Sequence, residues 1–145
     1  MADVSGRQTA SVGAPAAMTA EEPVPVPRTH PLTGDALNAA VTDALVGIHA
    51  EHLSHVPAKA VTFHDTNVVV TLMHDVLTPA ERSLASDGSS HAAVRDLHQQ
   101  LHEVMHPDLR AAVEQLTDRT VTAVLHAMHF EPDVSATTFV LDEAL

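Results

Sequence analysis

From Thr33 to about His55 the apolar residues Leu37, Val41, Ala44, Leu45 and Ile48 recur at three- and four-residue spacing, which predicts an amphipathic helix. Thr33 or Asp35 can start it, and Pro57 stops it by disfavouring helical geometry in the residue before it. The period then changes to two. Val61 and Phe63 fall on one face and Thr62 and His64 on the other, Asp65-Thr66-Asn67 reads as a turn, and Val68 to Met73 is a β-branched second strand. A short helix follows from Pro79 to about Ser86. After the break at Asp87-Gly88-Ser89-Ser90, with Ser89 or Ser90 as a cap, a long helix places Val94, Leu97, Leu101, Met105, Leu109, Ala112 and Leu116 on or near one stripe. Pro107 predicts a kink or break in that helix. Thr120 to Phe130 and Thr137 to Leu141 read as third and fourth strands around a turn at Pro132-Asp133.

This order, α-β-β-α-α-β-β, predicts an α+β fold in which two antiparallel β-hairpins form a four-stranded sheet with helices packed on one face. Val68 to Met73 and Val121 to Met128 carry apolar residues on both faces, so the second face also calls for cover, which a homodimer could supply. The segment Leu77-Thr78-Pro79-Ala80-Glu81-Arg82-Ser83-Leu84 carries a complete helix start. Thr78 can cap, Pro79 occupies the first helical position, and Glu81 can reach back to close a capping box.

Composition divides the chain. Residues 1–32 are poor in large apolar groups and include Glu21-Glu22-Pro23-Val24-Pro25-Val26-Pro27, so a disordered tail is expected there and a single domain over residues 33–145. The tail lacks the basic start and apolar run of a secretory signal. With three Phe and neither Trp nor Tyr, the core must be built from Val, Leu, Ala and Met. No cysteine is present, which removes disulfides and thiolate chemistry and suits a cytoplasmic location. No window approaches the roughly 20 apolar residues that cross a bilayer, so no direct membrane insertion is expected. The net charge of −12, with Lys59 the sole lysine, excludes the basic stripe that nucleic acid requires. Twelve histidines equal that charge in number, so protonation near their ordinary value would bring the formal total to about zero.

Those histidines are the candidate chemistry. His98, His102 and His106 recur every four residues and could present two imidazoles to one metal, but they project beside the apolar stripe and lack the Glu of a zinc-protease arrangement. A solvated boundary position is the favoured reading, with a metal site and a pH-sensitive contact as alternatives. His49, His52 and His55 lie near the end of the first helix, where His52 and His55 project on the apolar side and suggest packing roles. His126 and His129, three apart on a strand, point to opposite faces and cannot form a simple ligand pair. Ser83, Ser86, Ser89, Ser90 and Ser135 sit in no nucleophile elbow, and the five glycines do not cluster into a phosphate loop. The expectation is a protein that is not an enzyme, with no catalytic, cofactor-binding or metal-ligating residue and no cofactor.

Together, the opening helix Leu37 to Val46, the linker Pro57-Ala58-Lys59-Ala60, the Leu77 to Leu84 segment, and Leu109 to Val121 followed by Thr138-Phe139-Val140-Leu141 resemble the MpsC family of small bacterial proteins. The resemblance runs from about Leu37 to Leu141. It implies a soluble accessory or regulatory protein of a membrane system that translocates sodium and generates membrane potential, or couples ion flux to inorganic-carbon uptake. The implied partner is a membrane ion-translocating protein complex. A histidine-based metal or pH sensor is the alternative function. Relatives usually carry Gly-Arg-Gly-Pro where this chain reads Ser54-His55-Val56-Pro57, an aromatic residue at His52, and Gly-Arg at Asp118-Arg119.

Overall fold

The computed structural model describes residues 31–145. The expected tail lies, as far as residue 30, outside the described residues. The elements are α1 (Gly34–Leu53), β1 (Lys59–Asp65), β2 (Val68–His74), α2 (Pro79–Ala85), α3 (His91–Thr117), β3 (Val121–His129) and β4 (Val134–Leu141). All strand pairs are antiparallel in the order β1-β2-β4-β3, so the second hairpin inserts β4 beside β2. α1 and α3 cross one face of this sheet, and α2 packs on α3. The α+β arrangement and the element order are those expected.

The core follows from rows of residues four apart on the helices. Leu37, Val41 and Leu45 of α1 meet Met105, Leu109 and Val113 of α3 above Val69, Met73, Phe139 and Leu141 of the sheet. A smaller cluster of Leu77, Ala85, Val94 and Phe130 sits beneath α2. Phe139 is fully buried, and one aromatic side chain of this kind buries about 150–250 Å².

Three expectations need correction. β4 begins at Val134 rather than Thr137, because Val134, Ser135 and Ala136 pair on one side with β2 and on the other with β3. α3 runs unbroken through Pro107. Pro107 and Glu103 lie on the exposed side of the helix, so the carbonyl deprived of its helical donor can turn to water. The buried stripe of α3 is Val94-His98-His102-Met105-Leu109-Val113, not the row through Leu97 and Leu101: Leu97 is exposed and Leu101 half-buried.

Both long helices end in the left-handed region without glycine. Ser54 (φ 51°) and Asp118 (φ 54°) close α1 and α3, their N–H groups donating to the carbonyls of Ala50 and Glu114. A side chain in that conformation costs roughly 1–2 kcal/mol. The capping box predicted for α2 is complete. Glu81 N–H donates to Thr78 Oγ1 at 3.3 Å, and Thr78 N–H donates to Glu81 Oε2 at 2.8 Å.

Candidate functional site: a buried histidine cavity

The face of the sheet beneath the helices is crossed by a polar row. Register places Thr62 of β1 beside Thr71 of β2, Thr71 beside Thr137 of β4, and Thr137 beside His126 of β3. Each of the three threonines is buried. Thr62 Oγ1 lies 2.8 Å from Thr71 Oγ1 and 2.7 Å from Thr42 Oγ1 of α1, whose hydroxyl reaches the Asn38 carbonyl at 2.9 Å. His126 Nδ1 and Thr137 Oγ1 are 3.1 Å apart. Threonine is isosteric with valine, so the row fills β-strand space while its hydroxyls satisfy one another.

Above His126 and Thr137 the helices contribute further histidines. His49 extends the four-residue row Leu37-Val41-Leu45 of α1, and His98 and His102 extend the row that begins at Val94. The imidazoles of His102 and His126 stack with centroids 3.9 Å apart and planes inclined by 17°. Together with Ser135 and Thr137, these four histidines line a cavity of about 30 Å³ closed by Leu45, Met73, Val76, Met105 and Leu109. That volume admits about two water-sized groups. His98 and His102 are 6% and 7% exposed, and Nε2 of each has no hydrogen-bond partner among the described residues.

The Leu77 to Leu84 segment delivers a carboxylate to this cluster. Glu81 Oε2 receives both the N–H and the hydroxyl of Thr78, at 2.8 Å each, which leaves Oε1 free to sit 2.9 Å from His98 Nε2. That separation is an ion-pair distance, although the imidazole N–H is not aligned for a hydrogen bond. The segment is anchored in turn by Asp133, whose carboxylate accepts from the N–H groups of Val76 and Leu77 at 3.2 and 3.1 Å and from Arg82 at 3.2 Å.

Burial dominates the electrostatics. It pushes His126 down to about 3, helped by the positive charge that His102, His98 and His49 would carry. It pushes His102 down to about 4, with His106 adding to the effect and Glu103 opposing it. Burial also lowers His49, outweighing the bond between its Nδ1 and the His55 carbonyl. For Glu81, burial acts to raise the carboxyl, but the bonds from Thr78 and the proximity of His98 hold it below its ordinary value. The stacked pair and His49 are therefore neutral at pH 7, and the collapse of net charge with mild acid is smaller than a count of twelve histidines implies.

The structure thus moves His98 and His102 from a solvated boundary into the interior. It also reverses the first-helix histidines: His49 is buried, while His52 is exposed and bridges to Asp108 Oδ2 of α3 at 3.0 Å. His55 is half-buried with Nε2 donating to the Asp75 carbonyl at 2.8 Å, a bond that ties the end of α1 to the segment after β2. His106 is half-buried and does not line the cavity. His126 and His129 do point to opposite faces. What the sequence reading missed was the meeting of His126 with His102, and of Glu81 with His98. The available signal was the four-residue step from Val94 through His98 and His102, and from Leu45 to His49.

Residues 33–143 match the family model described as Na+-translocating membrane potential-generating system (MpsC). No curated protein and no solved structure matches the chain.

Proposed function

The chain belongs to the MpsC family of the Na+-translocating membrane potential-generating system, and from that premise we propose that it is a non-enzymatic accessory or regulatory protein of a membrane cation-translocating or inorganic-carbon-uptake system. The observation that carries this reading is the family match itself, which spans almost the whole folded domain. No described helix is long and apolar enough to cross a membrane. In this reading the ion path belongs to membrane partners, which the domain docks on or regulates from the cytoplasmic side. The test is genetic and electrical. Deleting the gene should lower the Na+-dependent potential of membrane vesicles, and supplying the chain should restore it together with co-purification of an integral membrane transporter. An unchanged potential in the deletion strain would overturn the proposal.

The histidine cavity favours one second reading, a proton-responsive domain. His49 of α1, His98 and His102 of α3 and His126 of β3 face one another across about 30 Å³, and Glu81 of α2 contacts His98 beside them. A proton entering there meets stacked imidazoles with no room to separate, so charging the cluster must open the packing between helices and sheet. Among the described residues no group of three or more histidine or carboxylate side chains is placed to hold one metal ion. Partner binding that is unchanged from pH 7.5 down to about 4, where His102 begins to take up its proton, would argue against the proton-responsive reading.

A further inference from the structure

The face of the sheet turned away from the helices is apolar. Register lines up Phe63, Val70, Thr138 and Leu125 in one row and Val61, Leu72, Ala136 and Ala127 in the next, with Val68, Val140 and Ala123 beyond. No described helix covers it, and Phe63 and Leu125 are 55% and 61% exposed. We infer that this face is the interface of a homodimer, in which a second copy of the chain packs its sheet on the first to form a closed sandwich.

Charge selects a second copy over another occupant. The chain carries −12 overall, yet this face carries two formal charges, Lys59 and Asp65, at opposite ends of the outward side of β1, with His74 and His129 in the row that Lys59 begins. A two-fold axis lying in the interface and running across the strands inverts the strand direction while keeping β1 over β1. It therefore sets each Lys59 against Asp65 of the other copy. The same axis puts Phe63 over Val61 and Leu125 over Ala127, large against small in both pairs, as interdigitating sheets require. Four strands of about seven residues present roughly 450 Å² in projection. With side-chain relief, two such faces bury about 1,000 Å² in all, near the lower bound for a specific interface.

Sedimentation equilibrium on the full chain, from about 1 to 100 μM, tests this. The wild type should weigh twice 15.4 kDa at the upper end. Phe63→Asp and Leu125→Asp change exposed side chains and should stay folded by circular dichroism while weakening association about thirty-fold or more. Lys59→Asp should weaken it about ten-fold by setting two acidic pairs against each other, and the double exchange Lys59→Asp with Asp65→Lys should restore it. A wild type monomeric at 100 μM overturns the inference. A monomer that dimerises only when residues 1–30 are removed also overturns it, by giving the face to that segment, and so does failure of the double exchange to recover the dimer.

Discussion

The two faces of this sheet invert the usual arrangement: the row across the middle of the buried face is Thr62-Thr71-Thr137-His126, and the neighbouring row on the open face is Phe63-Val70-Thr138-Leu125. Polarity along a strand therefore does not decide which face is buried. Helices α1 and α3 decide it by bringing partners for the polar row, Thr42 to Thr62 and His102 to His126, together with the apolar residues that seal the ends. Burying hydroxyls costs little when each finds another. Leaving valine, leucine and phenylalanine in water costs about 25 cal/mol per Å² unless something covers them, and the open face has the dimensions for a second sheet.

The largest expected effect tests whether the faces differ energetically. Phe139→Ala removes a fully buried ring from the helix side and should destabilise the fold by about 3–5 kcal/mol in urea denaturation. Phe63→Ala on the open face, measured on dilute monomer, should cost less than about 1 kcal/mol. Equal losses would mean that the open face is packed within the monomer, and the contrast would fail.

Acid should act through the helix side alone. Folded, His102 and His126 remain neutral down to about 4 and about 3, whereas in the unfolded chain they take up protons near 6.5. The unfolded chain thus binds more protons between those values. Stability is full above about pH 6.5 and declines as pH falls toward 3, each histidine contributing a slope of at most about 1.4 kcal/mol per unit. Lowered His49 and Glu81 act in the same direction, the carboxylate only at the acid end. Denaturation midpoints at pH 7.5 and 5 would check this, and His102→Leu with His126→Leu should flatten the difference. A midpoint insensitive to pH in the wild type would show that the cluster is hydrated.

A smaller effect dissects the carboxylate beside His98. Thr78→Ala removes both the cap and a donor to Glu81, and should cost about 1 kcal/mol by thermal denaturation. Glu81→Gln keeps the helix start but loses the charge facing His98, and should cost less than Thr78→Ala at pH 7. The reverse order would make the histidine contact, not the cap, the main role of the segment.

The smallest effect is a control that touches neither face. Ser54→Gly relieves the left-handed C-cap of α1, and should stabilise the fold by up to about 1 kcal/mol without altering its acid response or self-association. A change in either would tie that cap to one of the faces.

Several features were legible in local sequence because their causes are local. The period of two and the period near four gave the elements, and Thr78, Pro79 and Glu81 gave the capping box. The apolar residues on both sides of β2 and β3 announced a face in need of cover. The histidines were harder to place for a geometric reason. Leu97 and Leu101 looked like the inward row because leucine prefers burial, yet His98 and His102 lie in line with Val94, Met105, Leu109 and Val113. A one-position rotation of a helix is invisible when both candidate rows contain residues that tolerate an interior.

The order of elements, the absence of cysteine, the acidic charge and the helix starts follow from the sequence by itself, since each depends on residue identity and near neighbours alone. Which face of the sheet the helices cover was decided only by tertiary structure. So was the meeting of His49, Glu81, His98, His102 and His126, drawn from three helices and a strand. The physical reason is that burial and the shift of an imidazole's charge depend on what packs across from it, and those partners stand up to 77 positions away, as His49 does from His126.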